Sequence, residues 1–240
     1  MIEAMLFDVG DTFVHFETSH LSRFLRSAAT PAWDRLRELG MNPPPFRTYL
    51  RALKWTAIGE VIWSRLRRRE ARLMSALHSK HRRIGMDLSS DQWMDVLSRC
   101  VPVVRQHFQA DDEAVAVMQK LHATGIKMGI VSNTMFPAFA IDDVLSHDGL
   151  LEWFSVRVYS SDVGYMKPHP KIFQTALDRL GVRADRTLFV GDRVDKDVKG
   201  AQRVGMKTVL IARHGPPPGG RPRPDHTISR LSQLLPLVEA

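Results

Sequence analysis

Short, almost unbroken apolar runs recur along the chain, each closing on polar residues or glycine. The first is AMLFDV at residues 4–9. Four more follow after a long gap: MGIVSN at 128–133, VRVYS at 156–160, TLFVG at 187–191 and KTVLIA at 207–212. Runs of this length predict strands buried on both faces. Helical stretches lie between them. Asp111 or Asp112 is expected to cap a helix ending near Gly125. Another stretch runs to about Leu151, and Pro170 suits the first turn of a helix that stops at Gly181. Asp197–Val204 reads as a further helix, the strand at 207–212 closes the series, and the last residues read as one terminal helix. Strands separated by helices predict an α/β fold built on a doubly wound parallel sheet.

Residues 18–105 break this rhythm. Leu50, Leu53, Ile58, Val61, Ile62 and Leu66 follow helical spacing, as do Leu73 and Leu77. Pro43–Pro44–Pro45, just after Gly40 and Asn42, predicts a helix stop. Ser90 or Asp91 is expected to cap a helix through Leu97, and Trp55 and Trp63 are expected in a local core. The block reads as an insertion, with both linkers near the carboxyl end of the first strand. Residues 1–17 and 106–240 then form a Rossmann-like core, and 18–105 a helical cap domain. Gly215–Asp225, rich in proline, reads as a loop.

The charge distribution follows the same division. Residues 15–105 carry 17 Lys/Arg against 8 Asp/Glu, while the rest carry 17 against 18, so the net charge of +8 belongs to the helical block. Arg65, Arg68, Arg69 and Arg72 fall on one helical side. No aromatic residues are interleaved with them, so a solvated surface is expected and nucleic acid is not the expected partner. His78 and His81 share a helix face without an evident third metal ligand.

Composition excludes several classes. With 44% hydrophobic and 25% charged residues in 240, the chain is not of a disordered type. No apolar stretch is long enough for a membrane span, and the N-terminal residues lack the basic region of a secretory signal. Cys100 is the only cysteine, so no internal disulfide forms. A cytoplasmic protein is the expectation.

In open α/β sheets, ligands bind beyond the carboxyl ends of the strands. There the first strand delivers Asp8, followed by Gly10, Asp11 and Thr12. The second delivers Ser132, Asn133 and Thr134. The loop after the third holds Lys167, and the fourth delivers Asp192, with Asp195 and Asp197 behind it. Carboxylates, a hydroxyl and an ammonium group at one edge suit a phosphate group with a hard cation such as Mg²⁺. A carboxylate there can attack phosphorus, and the ammonium can neutralise phosphoryl oxygens. Asn133 is expected to contact substrate. His169, between two prolines, is expected to be structural.

Four motifs in order, LFDVGDT (6–12), VSNT (131–134), GYMKPHPKIF (164–173) and VGDRVDKD (190–197), resemble the haloacid dehalogenase-like hydrolase superfamily, subfamily I with a helical C1-type cap. The resemblance covers nearly the whole chain. It implies a Mg²⁺-dependent phosphatase acting on a small phosphorylated metabolite through an aspartyl-phosphate on Asp8. By the same resemblance, Asp8, the Gly10 carbonyl and Asp192 hold the metal, with Asp197 acting directly or through water. Ser132 binds the phosphoryl group, Lys167 orients Asp8, and the cap closes over substrate. Phosphatases of this family usually carry an aspartate acid/base where this chain has Gly10, and a glycine where it has Asp11. Asp11 and His15 are the candidate replacements. The departure motivates one alternative, a catalytically weak binding or regulatory protein. The dehalogenase and phosphonatase branches and a nucleic-acid-associated protein rank below it.

Overall fold

The first apolar run forms β1, Ala4–Phe7, with all four residues buried. Two short strands, β2 (Val14–Phe16) and β3 (Phe108–Ala110), pair with each other. The remaining strands are β4 (Lys127–Ser132), β5 (Val156–Tyr159), β6 (Thr187–Gly191), β7 (Lys207–Ile211) and β8 (His226–Ile228). This computed structural model describes residues 2–16, 21–67, 73–134, 136–213, 215 and 222–239. Six strands form one sheet in the order β5-β4-β1-β6-β7-β8, and every pairing is parallel.

The helices are α1 (Leu21–Glu38), α2 (Phe46–Arg67), α3 (Leu73–Arg83), α4 (Ser90–Arg105), α5 (Ala114–Ala123), α6 (Ala138–His147), α7 (Ser160–Val163), α8 (Pro170–Leu180), α9 (Lys199–Arg203) and α10 (Pro236–Glu239). The chain divides into two compact units. One comprises Met1–Phe16, Gln109–Thr134 and Leu145–Ala240. The other comprises Glu17–Phe108 with Met135–Val144.

In the sheet unit, alternate residues of β1 face opposite layers. Ala4 and Leu6 join Val131, Val158, Phe173, Leu177 and Phe189 in a core that includes α8 and α9. Phe7 instead meets Phe13 edge-on at 6.1 Å and Phe154 at 5.8 Å. β1 lies between β4 and β6, with Phe7 in register with Ile130 and Val190. Because the three strands run parallel, their carboxyl ends come out side by side.

The helical unit has its own core of Ala29, Ala32, Leu36, Tyr49, Met86, Leu88, Trp93 and Val96. His81 is buried there and lies 3.0 Å from the Tyr49 hydroxyl. His78 stacks on Trp93 with an interplanar angle of 14°. Both histidines are thus occupied in packing.

Several local expectations need correction. The strand series does not end at β7, because β8 adds a sixth strand after the proline-rich loop. Three residues are too few to show an apolar pattern. β8 is anchored by Asp225, which accepts from the Thr208 amide and hydroxyl, both at 2.8 Å. β2 and β3 were equally illegible. α4 is capped by Ser89 through a capping box with Gln92, not by Ser90 or Asp91. The residue at the N-cap of α5 is Glu113, and the Asp111 carboxylate accepts its amide. α6 stops at His147, where Gly149 at φ 67° turns the chain. The segment expected as one helix from Asp197 opens as a π-turn, Val194–Val198, with Asp197 inside it. The last residues form a 3₁₀ turn, Leu231–Leu234, and the single turn of α10. Trp55 is 66% exposed and is not a core residue. The side chains of Trp63 and Arg65, and residues Arg68, Arg69 and Arg72, lie outside the described residues, as does most of the loop at 215–225.

Gly200 in α9 lets that helix approach closely. A Cβ there would lie 2.3 Å from the Phe173 ring and 3.0 Å from the Cα of Pro168. Gly200→Ala is therefore expected to destabilise the protein by about 1–3 kcal/mol, read as a lower urea midpoint. An unchanged midpoint would mean that α9 is free to shift.

Candidate active site

The parallel register of β1, β4 and β6 brings Asp8, Ser132 and Asp192 to one edge of the sheet. Asp8 continues β1, and its amide donates to the Val190 carbonyl at 2.9 Å. Asp8, Ser132, Lys167 and Asp197 are all buried.

At the centre is the Lys167 ammonium, with Nζ 2.8 Å from Asp8 Oδ1 and 2.8 Å from Asp197 Oδ1. It also lies 5.4 Å from the centre of the Phe189 ring. Burial alone would lower its pKa, but the two carboxylates outweigh burial and hold it above the ordinary value. The backbone of Lys167 is gripped by Asn133. The Asn133 side-chain amide donates to the Lys167 carbonyl at 3.1 Å and accepts from its amide at 2.8 Å. Asn133 thus holds the lysine in place, a role the sequence reading did not include. His169 caps α8 by accepting from the Lys171 amide, which fits its expected structural role.

Among the described residues, the Val9 amide donates to Asp8 Oδ1 at 2.8 Å, and Lys167 Nζ pairs with the same oxygen. That leaves Oδ2 for chemistry. Asp197 uses Oδ1 on Lys167 and Oδ2 on the Arg193 amide at 2.9 Å. Its place depends on Gly191, where a Cβ would lie 2.5 Å from the Asp197 carboxyl carbon. Asp197 is therefore held inside the turn and is not a helix cap. Asp195, read as a loop residue, lies in the π-turn and pairs with Arg193.

Asp192 completes a group of three carboxylates, with Asp8 and Asp197, whose ligand oxygens lie within 4.8 Å of one another. Burial and then the neighbouring carboxylates push Asp192 up to about 7. Burial pushes Asp197 up as well, against the pull of Lys167. Among the described residues, Lys167 is the cation paired directly with these carboxylates, while the Arg193 guanidinium pairs with Asp195. The three carboxylates offer hard oxygen donors, which fits Mg²⁺.

Asp11 and His15 do not join this cluster. The Asp11 side chain is largely exposed, and its backbone sits in the left-handed region at φ 57°. Gly10 needs no such conformation, and a Cβ there would meet nothing within 4 Å. His15 lies between two carboxylates, 3.8 Å from Asp11 and 3.7 Å from Asp111. Asp111 is bound in turn by Arg213 at 2.6 Å. Burial raises the Asp111 carboxyl, but the Arg213 and Glu113 hydrogen bonds hold it below the usual range. Neither Asp111 nor Arg213 was legible as a site residue. Arg213 is one arginine among many and follows a strand with no motif around it.

The acidic cluster has a pH signature. Between the ordinary carboxylate range and about pH 7, the metal-free fold holds a proton on Asp192 that the unfolded chain releases. The metal-free protein should therefore lose stability as pH rises from 5.5 to 7.5. Millimolar Mg²⁺ should raise the melting temperature at pH 7.5 and have little effect at pH 5.5. Occupancy at ~100 times Kd corresponds to about 2.7 kcal/mol. Asp192→Asn should remove both effects in thermal-shift measurements. No Mg²⁺ response at pH 7.5 would show that the cluster does not take this cation.

Known proteins resemble the chain over its whole length. It is 30% identical over 248 residues to glyceraldehyde 3-phosphate phosphatase of Methanopyrus kandleri, an alignment covering 99% of this chain and 97% of that protein. The crystal structure of a HAD phosphatase from Thermococcus onnurineus superposes with a TM-score of 0.65 at 27% identity, covering 99% of this chain and 98% of that one. A 2-haloacid dehalogenase from Pseudomonas syringae pv. Tomato DC3000 shares the fold, with a TM-score of 0.68 at 23% identity over 100% and 99% of the two chains. The family pattern itself matches residues 2–205, and the chain belongs to the haloacid dehalogenase-like hydrolase family.

Proposed function

We propose that the protein is a Mg²⁺-dependent phosphatase of small phosphorylated metabolites that works through an aspartyl-phosphate on Asp8. The observation that carries this reading is the buried Lys167 ammonium shared by Asp8 and Asp197, with a third carboxylate alongside. The names of its relatives support the same class and make glyceraldehyde 3-phosphate the first metabolite to try.

Asp8 attacks phosphorus through a carboxylate oxygen. The new bond joins Asp8 to phosphorus, and the bond between phosphorus and the ester oxygen breaks. The departing alkoxide takes a proton from a nearby acid. Water, giving its proton to the base left by that acid, then attacks the phosphoryl group, the Asp8–phosphorus bond breaks, and inorganic phosphate leaves. Lys167 holds Asp8 in place at 2.8 Å and offsets charge on the phosphoryl oxygens. Ser132, buried at the end of β4, donates to the phosphoryl group, and Asn133 keeps Lys167 in place. Asp8, the Gly10 carbonyl and Asp192 would hold Mg²⁺, with Asp197 behind them; when bound, the ion would neutralise phosphoryl charge. The helical unit would supply substrate selection, as its resemblance to a cap implies.

The proton donor is the weak point. With Gly10 in the usual acid position, Asp11 and His15 are the replacements. Their partial exposure, and their absence from the group of three carboxylates, give a second reading, a catalytically weak binding protein, a specific footing.

The test is hydrolysis of p-nitrophenyl phosphate beside an alkyl phosphate, each with Mg²⁺ and with EDTA. Asp8→Asn should abolish turnover while circular dichroism stays unchanged; full activity in that variant would sink the mechanism. Gly10→Asp, at a position where a Cβ meets nothing within 4 Å, should raise alkyl ester turnover, because general acid help is worth ~10²–10⁴-fold. The gain on the aryl ester should be smaller. No turnover of either ester, with no gain from Gly10→Asp, would favour the binding protein.

A further inference from the structure

The turn after Asp8 is tight and unusual. The amides of Thr12, Phe13 and Val14 all point at one acceptor, the Val9 carbonyl, at 3.3, 3.2 and 3.1 Å. The Asp11 amide bonds back to the Val14 carbonyl at 2.9 Å. Asp11 itself holds φ at 57° without being glycine, a conformation that carries a cost in free energy. A turn of this kind persists only when its surroundings over-determine it.

Arg213, two residues beyond β7, supplies that constraint. One guanidinium nitrogen donates to the Asp11 carbonyl at 2.8 Å. The other donates to the Thr12 carbonyl at 2.9 Å and to Asp111 at 2.6 Å. Asp111 is fixed from two more sides. Its amide donates to the Phe13 carbonyl at 2.9 Å, and its Oδ1 accepts from Glu113 at 3.0 Å. His15 reaches the same Asp111 carboxylate and the Asp11 carboxylate. One planar cation thus joins the turn after β1, the segment before α5 and the end of β7. Lysine cannot reproduce this, because an ammonium is a point charge without the fork.

We propose that Arg213 is a positioning residue for the nucleophile turn, acting through the Asp11 and Thr12 carbonyls and through Asp111. It fixes the backbone between Asp8 and Val14, and with it the places of the Gly10 carbonyl, Asp11 and His15. The part of this claim that concerns turnover rests on the phosphatase reading above.

The experiment compares the full-length protein with Arg213→Ala and Arg213→Lys. Amide hydrogen exchange should speed up at Asp11, Thr12, Phe13 and Val14 in both variants, with the amides of β4 and β6 unchanged. For p-nitrophenyl phosphate, kcat should fall about 10–100-fold with KM within about twofold, the scale of a nucleophile misplaced by about an ångström. Arg213 retains some solvent access, so tens of millimolar methylguanidinium should restore part of the Arg213→Ala rate, and methylammonium should not. Unchanged exchange in the turn would overturn the proposal, whatever the rate. So would uniformly faster exchange across the sheet with kcat intact, because that is the mark of a purely structural residue. Asp8→Asn, run in parallel, separates the two claims. Full activity in that variant overturns the phosphatase reading, and the exchange data then decide on Arg213 alone.

Discussion

A buried ammonium group is the constraint around which the sheet edge is built. Removing an ion from water costs several kcal/mol, and only close counter-charges recover it. Lys167 has two, Asp8 and Asp197, each at 2.8 Å. Much of the neighbouring sequence serves that contact. Gly191 leaves room for Asp197 beside β6, Gly200 lets α9 close over Phe173 and Pro168, and Asn133 holds the lysine backbone from both sides. With Lys167 shared between two carboxylates, Asp192 is left with excess negative surroundings. That excess is what a divalent cation would relieve.

The surroundings of Asp8 fall into two electrostatic zones. The inner one is largely buried, with Lys167 between Asp8 and Asp197 and the oxygens of Asp192 within 4.8 Å of theirs. The outer one is partly wet and alternates in sign from Arg213 through Asp111 and His15 to Asp11. The inner zone suits charge neutralisation at phosphorus, where fixed charges in a low dielectric act most strongly. The outer zone suits proton exchange with solvent. The turn from Val9 to Val14 belongs to both, so a change in its backbone touches both at once.

The sheet and the inner zone were largely legible in the sequence. Buried parallel strands have a continuous apolar signature. Asp8 and Asp192 directly follow one, Ser132 ends one, and Lys167 lies in the connection after β5. Strands of three residues were not legible, because β2, β3 and β8 are too short to carry a pattern. Asp197 was placed behind Asp192 only by its order in the chain, and the packing against Gly191 shows that it points inward. Trp55 looked like core by residue type, and its exposure depends on tertiary contacts that periodicity does not encode. Arg213 could not be found at all. Its importance comes from meeting residues about a hundred and two hundred positions away, and no local pattern records that.

The strand order has a consequence for how the protein is made. β1 sits in the middle of the sheet, yet its partners β4 and β6 come about 120 and 180 residues later in the chain. At ribosomal speeds of ~5–20 residues per second, β1 spends roughly 10–40 s as an apolar segment without its final neighbours. Helices α1 to α4 are made in that interval, although the helical unit also takes in Met135–Val144, which follows β4. Asp8 therefore reaches its final surroundings only after β4, Lys167 and β6, which follow it in the chain, have been made. Until then β1 is an apolar strand without its partners, the kind of segment a chaperone binds.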